Sequence, residues 1–372
     1  MSTLKIKRLL RFYIRLLSFL GIIPIFYSSK IKKYILRTGW RFYVAHCFWQ
    51  LVYVFLIGNV VMRREKFVTP KYSYLDRCYW IALVSAAMTA QFLINAWFLH
   101  LRHSHYHIIS YCVYLSEQFI SHGQRNVWIW QLIVLVTNII SACSLSLMSS
   151  FKPRLIFQIY YIVSTLLLAF YGCITQAIAA LLGDVNSLIL IILQHNQRRK
   201  RITEIELENF HDCLVAYDGL MLLCSENIST IYGAPFVLIA VISTLDITLS
   251  VHLLKTITMK GYVQTIIIAI KFIVFALPSV IMLSMAFVGS DIEKEANRTV
   301  KILTKFPRTG NGMDTMVDKF LLKNVRKKPI LTAYGFFPLD RSALFKLFTA
   351  IIMYIVILVQ FKDIEQSLKK TR

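Results

Sequence analysis

Long runs of apolar residues limit what this chain of 372 residues can fold into. Hydrophobic residues make up 57% of the sequence, whereas soluble domains usually contain roughly 45–50%. A run of about 20 such residues, with few or no charges, crosses the hydrocarbon core of a bilayer as a helix. Seven runs of this kind occur, at 42–62, 78–99, 127–151, 155–193, 231–254, 261–289 and 342–361. The sequence therefore predicts an all-α, polytopic membrane protein with seven transmembrane helices.

The run at 155–193 is longer than a bilayer requires, because a helix of this length at 1.5 Å per residue overshoots a hydrocarbon layer of ~30 Å. We expect its end to protrude into the cytosol. A basic tetrapeptide at 198–201 follows, and then Glu204, Glu206 and Glu208. Opposite charges in this order predict a cytosolic helical connector with local ion pairs.

The basic residues between the runs predict the orientation. Seven spans place the termini on opposite sides, and with a cytosolic N-terminus the inner segments hold 27 of the 42 Lys and Arg residues. Cytosolic segments are enriched in Lys and Arg, so the N-terminus is predicted to be cytosolic and the C-terminus extracellular. The predicted parts are a basic N-terminus at 1–41, six helices with their loops at 42–289, a cytosolic anchor segment at 290–341, the last helix at 342–361 and an extracellular tail at 362–372.

The net charge of +23 raises the question of nucleic acid as a partner. The basic residues lie between hydrophobic runs, where they orient helices and contact anionic lipid, and no nucleic-acid-binding module accompanies them. Membrane lipid is therefore the expected partner, and nucleic acid is not.

Residues 1–41 hold ten Lys and Arg and no acidic residue. The amphipathic pattern of their first half predicts an interfacial helix, and a plain basic tail is the alternative.

Cysteine and histidine side chains are possible metal ligands. The seven cysteines are scattered without a CxxC pair, which is typical of buried thiols. His100, His103, His105 and His107 have helical spacings that could bind a metal, but the other histidines are solitary, and a di-iron enzyme needs several histidine boxes. We expect a solvated or interfacial helix here, with no metal, no cofactor and no enzymatic activity.

The last hydrophobic run carries one strongly polar residue in its apolar part, Gln360. A carboxamide facing lipid would lose water without gaining a partner, so Gln360 should face protein or a water-filled space. Steps of three, four and seven residues back from it place Ile357, Val356 and Met353 on the same helical face, with Thr349 one turn further. This face is predicted to line a pore. The alternative is a hydrogen bond from Gln360 to a packed neighbouring helix.

The same segment resembles the last hydrophobic segment of the insect gustatory receptors. That family carries Thr-Tyr, five apolar residues and Gln-Phe, with a Leu-Asp step upstream. The corresponding residues here are Met353-Tyr354, Gln360-Phe361 and Leu339-Asp340. The resemblance is strong over this helix, and elsewhere it is one of length and topology. Met353 replaces the threonine of the family and makes the predicted pore face bulkier and more apolar.

The resemblance implies a ligand-gated, non-selective cation channel in the cell membrane of chemosensory neuron dendrites. It implies a homo- or hetero-tetramer with other gustatory receptors, and a small-molecule tastant as ligand, with bitter or aversive compounds as the default. The implied pore and gate residues are Met353, Val356, Ile357, Gln360 and Phe361. The residues expected to couple the cytosolic layer to the pore helix are Asp340, Arg341 and Tyr354.

Two charges within the runs, Asp246 and Lys271, are predicted to form a buried pair. On antiparallel helices both lie ~14–15 Å from the outer edge, and a lone charge there costs several kcal/mol. The pair is a candidate for one side of a ligand pocket near the outer leaflet, with a purely structural clamp as the alternative. Aromatic residues of the run at 155–193 could form the other walls, with core packing as their alternative role: Tyr160, Tyr161, Phe170 and Tyr171.

Three other functions are alternatives to a gustatory channel. An odorant receptor subunit shares the pore-helix plan and is the nearest alternative. A G-protein-coupled receptor has the opposite orientation, and the chain lacks the DRY and NPxxY motifs of that class. A membrane enzyme would need further histidine boxes.

Overall fold

The computed structural model describes residues 2–28, 33–36, 39–62, 74–119, 152–199, 203–256, 289–305, 312–325, 331–332 and ten positions between 342 and 360. Within these ranges the protein is mostly helical, with one short hairpin. The helices are α1 (Ser2–Phe19), α2 (Trp40–Met62), α3 (Tyr74–His100), α4 (Arg102–Gln118), α5 (Lys152–Arg199), α6 (Glu204–Leu222), α7 (Ser229–Thr256), α8 (289–304), α9 (Gly312–Val325) and α10, described at ten positions between 342 and 360. The strands are β1 (Ile25–Ser28) and β2 (Lys33–Leu36).

The apolar runs form long helices. Four stretches of the described residues are long and apolar enough to cross a membrane: Trp40–Asn59, Ile81–His100, Ile162–Asn196 and Glu204–Leu245. The mostly helical, membrane-spanning fold predicted from the sequence is therefore confirmed. The predicted run at 127–151, and all but the last residue of the run at 261–289, lie outside the described residues. The number of seven spans and the sides of the termini stay predictions.

The fifth predicted run belongs to a much longer helix. It was expected to begin at residue 231, but α6, a π-helical turn at Leu223–Ile228 and α7 form one continuous helical path from Glu204 to Thr256. Thr203 starts this path with a capping box, in which its Oγ1 accepts from the Glu206 N–H at 3.3 Å and its own N–H donates to Glu206 Oε2 at 3.2 Å. The charged connector is thus the first part of the same helix.

The N-terminal segment packs on the protein instead of resting only at a membrane surface. Tyr13, Ile14 and Leu17 of α1 are buried in the core, and α1 contacts α5. The hairpin that follows, with Ile25 paired to Leu36, is a correction to the all-α prediction. Its two strands are short, and the chain leads from them into α2.

A glycine turn fixes the exit from α1. The N–H groups of Gly21 and Ile22 donate to the carbonyls of Ser18 and Leu17, as in a Schellman motif, and Gly21 has a φ of 68°. A Cβ at Gly21 would lie 2.8 Å from the backbone nitrogen of His46. His46 Nδ1 also donates to the Gly21 carbonyl at 2.8 Å. The chain can therefore pass this close to α2 only with glycine.

The side chains pack into two clusters. The smaller lies where α2, α3, α5 and α7 meet and includes Tyr53, Met88, Tyr160 and Ile242. The larger, which we call the inner core, joins buried residues of α1, the hairpin, the end of α3, α4, the rest of α5, α6, the first part of α7, α8 and α9. In the inner core Tyr217 of α6 packs edge-on against Phe320 of α9 at 5.0 Å between ring centroids. At the surface Lys323 of α9 pairs with Asp218 of α6.

A buried polar contact, the Asn186 lock, joins α5 to α8. Asn186 is 0% exposed, and its Nδ2 donates to the backbone carbonyl of Glu295 at 2.9 Å and to Glu295 Oε2 at 3.2 Å. The hydroxyl of Thr299 donates to Asn186 Oδ1. Arg298 Nη1 lies 3.6 Å from Glu295 Oε2. Because buried polar groups are costly unless they are hydrogen-bonded, this set fixes the register of α5 against α8.

Candidate functional site

The last helix presents a face that the rest of the described chain does not cover. All ten described positions of α10 are exposed, and their spacing of one, two or three residues places them on one side of the helix. Met353 is 61% exposed, Val356 48% and Ile357 43%. The Thr349 hydroxyl donates to the Phe345 carbonyl one turn back at 2.9 Å, so it is satisfied within the helix. From Ala350 to Ile357 the exposed α10 face is therefore apolar, with Ser342, Lys346 and Thr349 before this part and the Gln360 amide after it.

A cluster of aromatic rings, the aromatic cluster, lies where α3, α4, α5 and α7 meet. Phe98 lies 4.8 Å from His105 and 5.8 Å from Tyr232, between ring centroids, and Tyr171 lies 5.2 Å from Tyr232. Tyr232 Oη and His105 Nδ1 share a hydrogen bond at 3.3 Å. Offset and edge-on contacts at these distances are the favoured geometries for aromatic pairs. The four rings therefore hold four helices together at one level.

A cavity opens beside these rings. Its walls include Phe98 of α3, Leu167 and Tyr171 of α5, and Tyr232 and Phe236 of α7. Its enclosed space is about 10 Å³, which is room for about one water molecule. The walls are nearly all apolar. The Tyr171 hydroxyl is buried and has no hydrogen-bond partner among the described residues.

The helix wall of this cavity is interrupted. Pro235 lies inside α7 and has no N–H for the carbonyl four residues earlier, which belongs to Ile231. The Trp97 indole of α3 donates to that carbonyl at 3.1 Å and so replaces the missing bond. The π-helical turn at Leu223–Ile228 ends just before this point, and both features are common causes of helix bends. This part of α7 therefore carries two features that favour bending, and we call it the α7 bend.

A hydrogen bond connects this bend to the segment that precedes α10. Ser229 begins α7, and its hydroxyl donates to the Cys224 carbonyl at 3.0 Å inside the π-helical turn. The backbone N–H of Thr332 donates to the same hydroxyl oxygen at 3.0 Å. Leu331, the neighbour of Thr332, is buried in the inner core. The chain that leads to the exposed α10 face is thus attached to the bend in α7.

Comparison with known proteins identifies the family. A family model described as 7tm chemosensory receptor matches residues 10–365. The chain belongs to this family. It is 33% identical over 373 residues to the gustatory and pheromone receptor 39a, isoform C, of Drosophila melanogaster, which covers 96% of each chain. Isoform A of that receptor is 64% identical over 92 residues, or 25% of each chain. The resemblance to gustatory receptors is therefore confirmed, and the protein is a multi-pass membrane receptor of a chemosensory family, not of an enzyme class.

The fold also matches a solved receptor. The insect olfactory receptor OR5 from Machilis hrabei, in complex with eugenol, superimposes with a TM-score of 0.65 and 10% sequence identity. The match covers 96% of this chain and 97% of that chain. The receptor therefore shares the overall fold of that protein along nearly its whole length.

The predicted pore residues fall into two groups. Met353, Val356, Ile357 and Gln360 lie together on the exposed α10 face. The remaining predicted gate and coupling residues lie outside the described residues: Phe361, Asp340, Arg341 and Tyr354.

The predicted ligand-pocket residues do not all come together. Tyr171 lines the cavity, and Phe170 is buried next to it in the inner core. Tyr160 instead belongs to the smaller cluster near α2 and α3. The side chains of Tyr161 and Asp246, and the whole of Lys271, lie outside the described part of the receptor. The charge pair therefore stays a prediction.

The sequence alone does not mark Phe98, Tyr232 or Pro235 as residues of one site. They lie on helices far apart in the sequence, so nothing local marks them as neighbours. Pro235 inside a long apolar run was the one usable signal, because a proline there leaves a carbonyl that needs another donor.

The four clustered histidines do not share a face. α3 ends at His100 and α4 begins at Arg102, so the helix breaks within the cluster. His105 is 1% exposed, whereas His100, His103 and His107 are exposed. Burial lowers the pKa of His105 to about 3, so its imidazole is neutral. Among the described residues no three His, Cys, Asp or Glu side chains lie close enough to hold a metal ion.

Proposed function

We propose that the receptor is a gustatory receptor that acts as a ligand-gated, non-selective cation channel of four subunits. The observation that carries the proposal is the exposed α10 face, on which Met353, Val356, Ile357 and Gln360 lie together without cover from the described chain. One helix cannot enclose a pore. Closed rotational symmetry brings the same face of several copies around a common axis, so each copy covers the face of the next.

The chemistry of this face fits a gate. Rings of Met353, Val356 and Ile357 from several copies would form an apolar constriction that closes by losing water. Gln360 would place a ring of amides next to it, where an ion can exchange part of its hydration. The proposed topology has seven spans with a cytosolic N-terminus and an extracellular C-terminus, and Asp340, Arg341 and Tyr354 couple the cytosolic layer to the gate.

The ligand in this proposal is a small tastant of the bitter or aversive class, detected at a chemosensory neuron dendrite. The proposed outer pocket lies between the Asp246–Lys271 pair and the aromatic residues near the start of α5, in particular Tyr161. A second candidate ligand is a pheromone, because the relatives 39a and 32a are both named gustatory and pheromone receptors. An odorant receptor subunit remains the nearest alternative function.

Current measurement tests the channel. In cells that express the receptor with and without partner gustatory receptors, a mixed panel of bitter compounds, apolar pheromones and odorants is expected to evoke cation current with G-protein signalling blocked. The compounds that evoke current show whether the ligand is a bitter compound, a pheromone or an odorant. Ile357→Ser should raise the current without ligand several-fold, because a polar ring no longer closes by dewetting. The matched control is Leu51→Ser, also on an exposed apolar helix face.

Loss of the evoked response when G-protein signalling is blocked would favour a G-protein-coupled receptor. Equal currents in Ile357→Ser and Leu51→Ser would remove α10 from the gate.

A charge exchange tests the pocket: Asp246→Lys and Lys271→Asp are each expected to lower surface expression, and the double exchange to restore it. Full tolerance of both single changes would exclude the pair.

A further inference from the structure

The two sides of α1 differ in their surroundings. On one side Tyr13 and Leu17 pack into the inner core. On the opposite side Phe12, Arg15 and Phe19 are exposed, and steps of three and four residues place them in one stripe along the helix. A stripe of aromatic and cationic side chains is typical of a helix that lies at the headgroup level of a membrane.

Arg11 lies next to this stripe and packs on the hairpin. Its guanidinium lies over the ring of Tyr27, 3.9 Å from the ring centroid, and Tyr27 packs edge-on against Tyr34 at 5.2 Å between centroids. The Arg11 Nε–H is buried and has no hydrogen-bond partner among the described residues. The aromatic contact therefore holds Arg11 in place, and a further hydrogen-bond acceptor is still needed to balance its charge.

The cations of this region have no acidic partner within the described ranges. Residues 1–41 contain ten Lys and Arg and no acidic residue. No described carboxylate forms an ion pair with Arg11, Arg15 or Lys33, whereas Arg298 of α8 and Lys323 of α9 each pair with one. The excess positive charge on α1 and the hairpin therefore attracts an anion from outside the described chain.

The start of α2 places this region at the level of the lipid headgroups. His46 donates to the Gly21 carbonyl at the end of α1, and it lies only six residues, or ~9 Å, along α2 from Trp40. Trp40 is exposed, and the Arg41 guanidinium lies 6.0 Å from the centroid of its ring. In the proposed topology α2 starts at the inner surface, so the anion is found in the cytosolic leaflet. This assignment of the leaflet rests on the proposed function, whereas binding itself does not.

We propose that Arg11 and Arg15 bind the headgroup of one anionic phospholipid, while Phe12 and Phe19 contact its acyl chains. The two arginines are one helical turn apart, so both guanidinium groups can reach the same headgroup. A guanidinium group forms charge-assisted hydrogen bonds with phosphate oxygens. A phospholipid supplies the negative charge and the apolar chains together, which matches the alternation of cations and aromatic rings on this side of α1.

Native mass spectrometry of the purified receptor measures bound lipid and does not depend on membrane orientation. Wild-type receptor is expected to bind phosphatidylserine more tightly than phosphatidylcholine. Arg15→Gln should weaken phosphatidylserine binding about fivefold, and the double change Arg11→Gln with Arg15→Gln about thirtyfold. Phosphatidylcholine binding should stay the same. Lys301→Gln with Lys319→Gln removes the same charge from exposed positions of α8 and α9 and should change the binding of neither lipid.

Equal affinity of wild type for the two lipids would overturn the site, and so would a loss of the same size in the Lys301 and Lys319 control. Water-soluble glycerophosphoserine should not compete with phosphatidylserine, because it has no acyl chains, and full competition would contradict a lipid ligand. Size-exclusion profiles establish that each variant is folded, and Arg15→Gln alters an exposed residue that the fold does not need. A receptor that binds phosphatidylserine as expected but passes no current would support this site and contradict the channel, so the two proposals fail separately.

Discussion

The inner core and the exposed α10 face are both rich in apolar residues, but the first is buried within the subunit and the second is exposed. In the inner core, distant parts of one chain supply each other's hydrogen bonds: Asn186 is bonded on both sides of its amide, and Trp97 supplies the donor that Pro235 lacks. On the exposed α10 face, Met353, Val356 and Ile357 are apolar and uncovered by the described chain. The first region is packed within the described part of the subunit, and the second is not covered by it.

This difference predicts where substitutions act. Changes in the inner core should alter the folding of each subunit, whereas changes on the exposed α10 face should alter assembly or current and leave the fold intact. The free energy of unfolding and the folded fraction after detergent extraction separate the two effects, because neither depends on conduction.

The largest effect is expected at Gly21. Gly21→Ala must keep a φ of 68° and push its Cβ against the backbone of His46, where the contact would be 2.8 Å. Neither backbone can move without breaking the turn or α2, so we expect a loss of about 2–4 kcal/mol. Gly58→Ala is the control, since a Cβ there has no neighbour within 4 Å. Thermal unfolding followed by size exclusion measures both, and equal midpoints would contradict the packing of this turn.

A slightly smaller effect is expected from the Asn186 lock. Asn186→Leu leaves the Glu295 carboxylate and the Thr299 hydroxyl with fewer partners at a buried site, which should cost about 2–3 kcal/mol. Ser187→Leu places the same side chain at the exposed neighbouring position and should change stability by less than about 0.5 kcal/mol. If both variants unfold at the wild-type temperature, the lock does not hold α5 to α8.

The long helices were predictable because they follow from local pattern. The apolar runs placed α2 and α3 within a few residues of their ends, and the step of three and four residues from Gln360 selected the face of α10 that is exposed. The charged stretch after residue 198 was also recognised as helical. Its continuity with α7 was not recognised. The polar segment interrupts the apolar pattern of the sequence, although the π-helical turn keeps the backbone helical there.

The inner core and the cavity were not predictable, because they depend on contacts between distant residues. Phe98, Tyr171 and Tyr232 meet only once three helices are packed. The requirement for glycine at position 21 comes from the backbone of α2, and Asn186 finds Glu295 more than a hundred residues away. No local period encodes such pairs.

The pH dependence of stability tests the buried imidazole in α4, which lies outside the apolar helices. The pKa of His105 is lowered to about 3 by burial, against about 6.5 in an unfolded chain. Between these values the unfolded chain binds a proton that the folded receptor does not, so stability falls as the pH drops below about 6.5. At pH 5 the loss should reach about 2 kcal/mol relative to pH 7.5.

His105→Gln should remove this part of the pH dependence, while His103→Gln at an exposed position should keep it. Unfolding midpoints at pH 7.5 and 5 measure the difference. A wild-type profile in His105→Gln would show that this imidazole is not buried in the folded receptor.

The smallest effect on the fold is expected on the exposed α10 face. Ile352→Ser and Met353→Ser remove apolar side chains that are 60% and 61% exposed in the subunit, so the dispersed subunit should lose less than about 0.5 kcal/mol. In the assembled receptor the same residues would meet their copies around an axis, so a thiol there can pair only with another subunit. Met353→Cys should therefore form a cross-linked dimer under mild oxidation, with Phe48→Cys on the exposed side of α2 as the control. If Met353→Cys does not cross-link and Met353→Ser leaves both fold and current unchanged, the exposed α10 face contacts lipid and takes no part in subunit assembly.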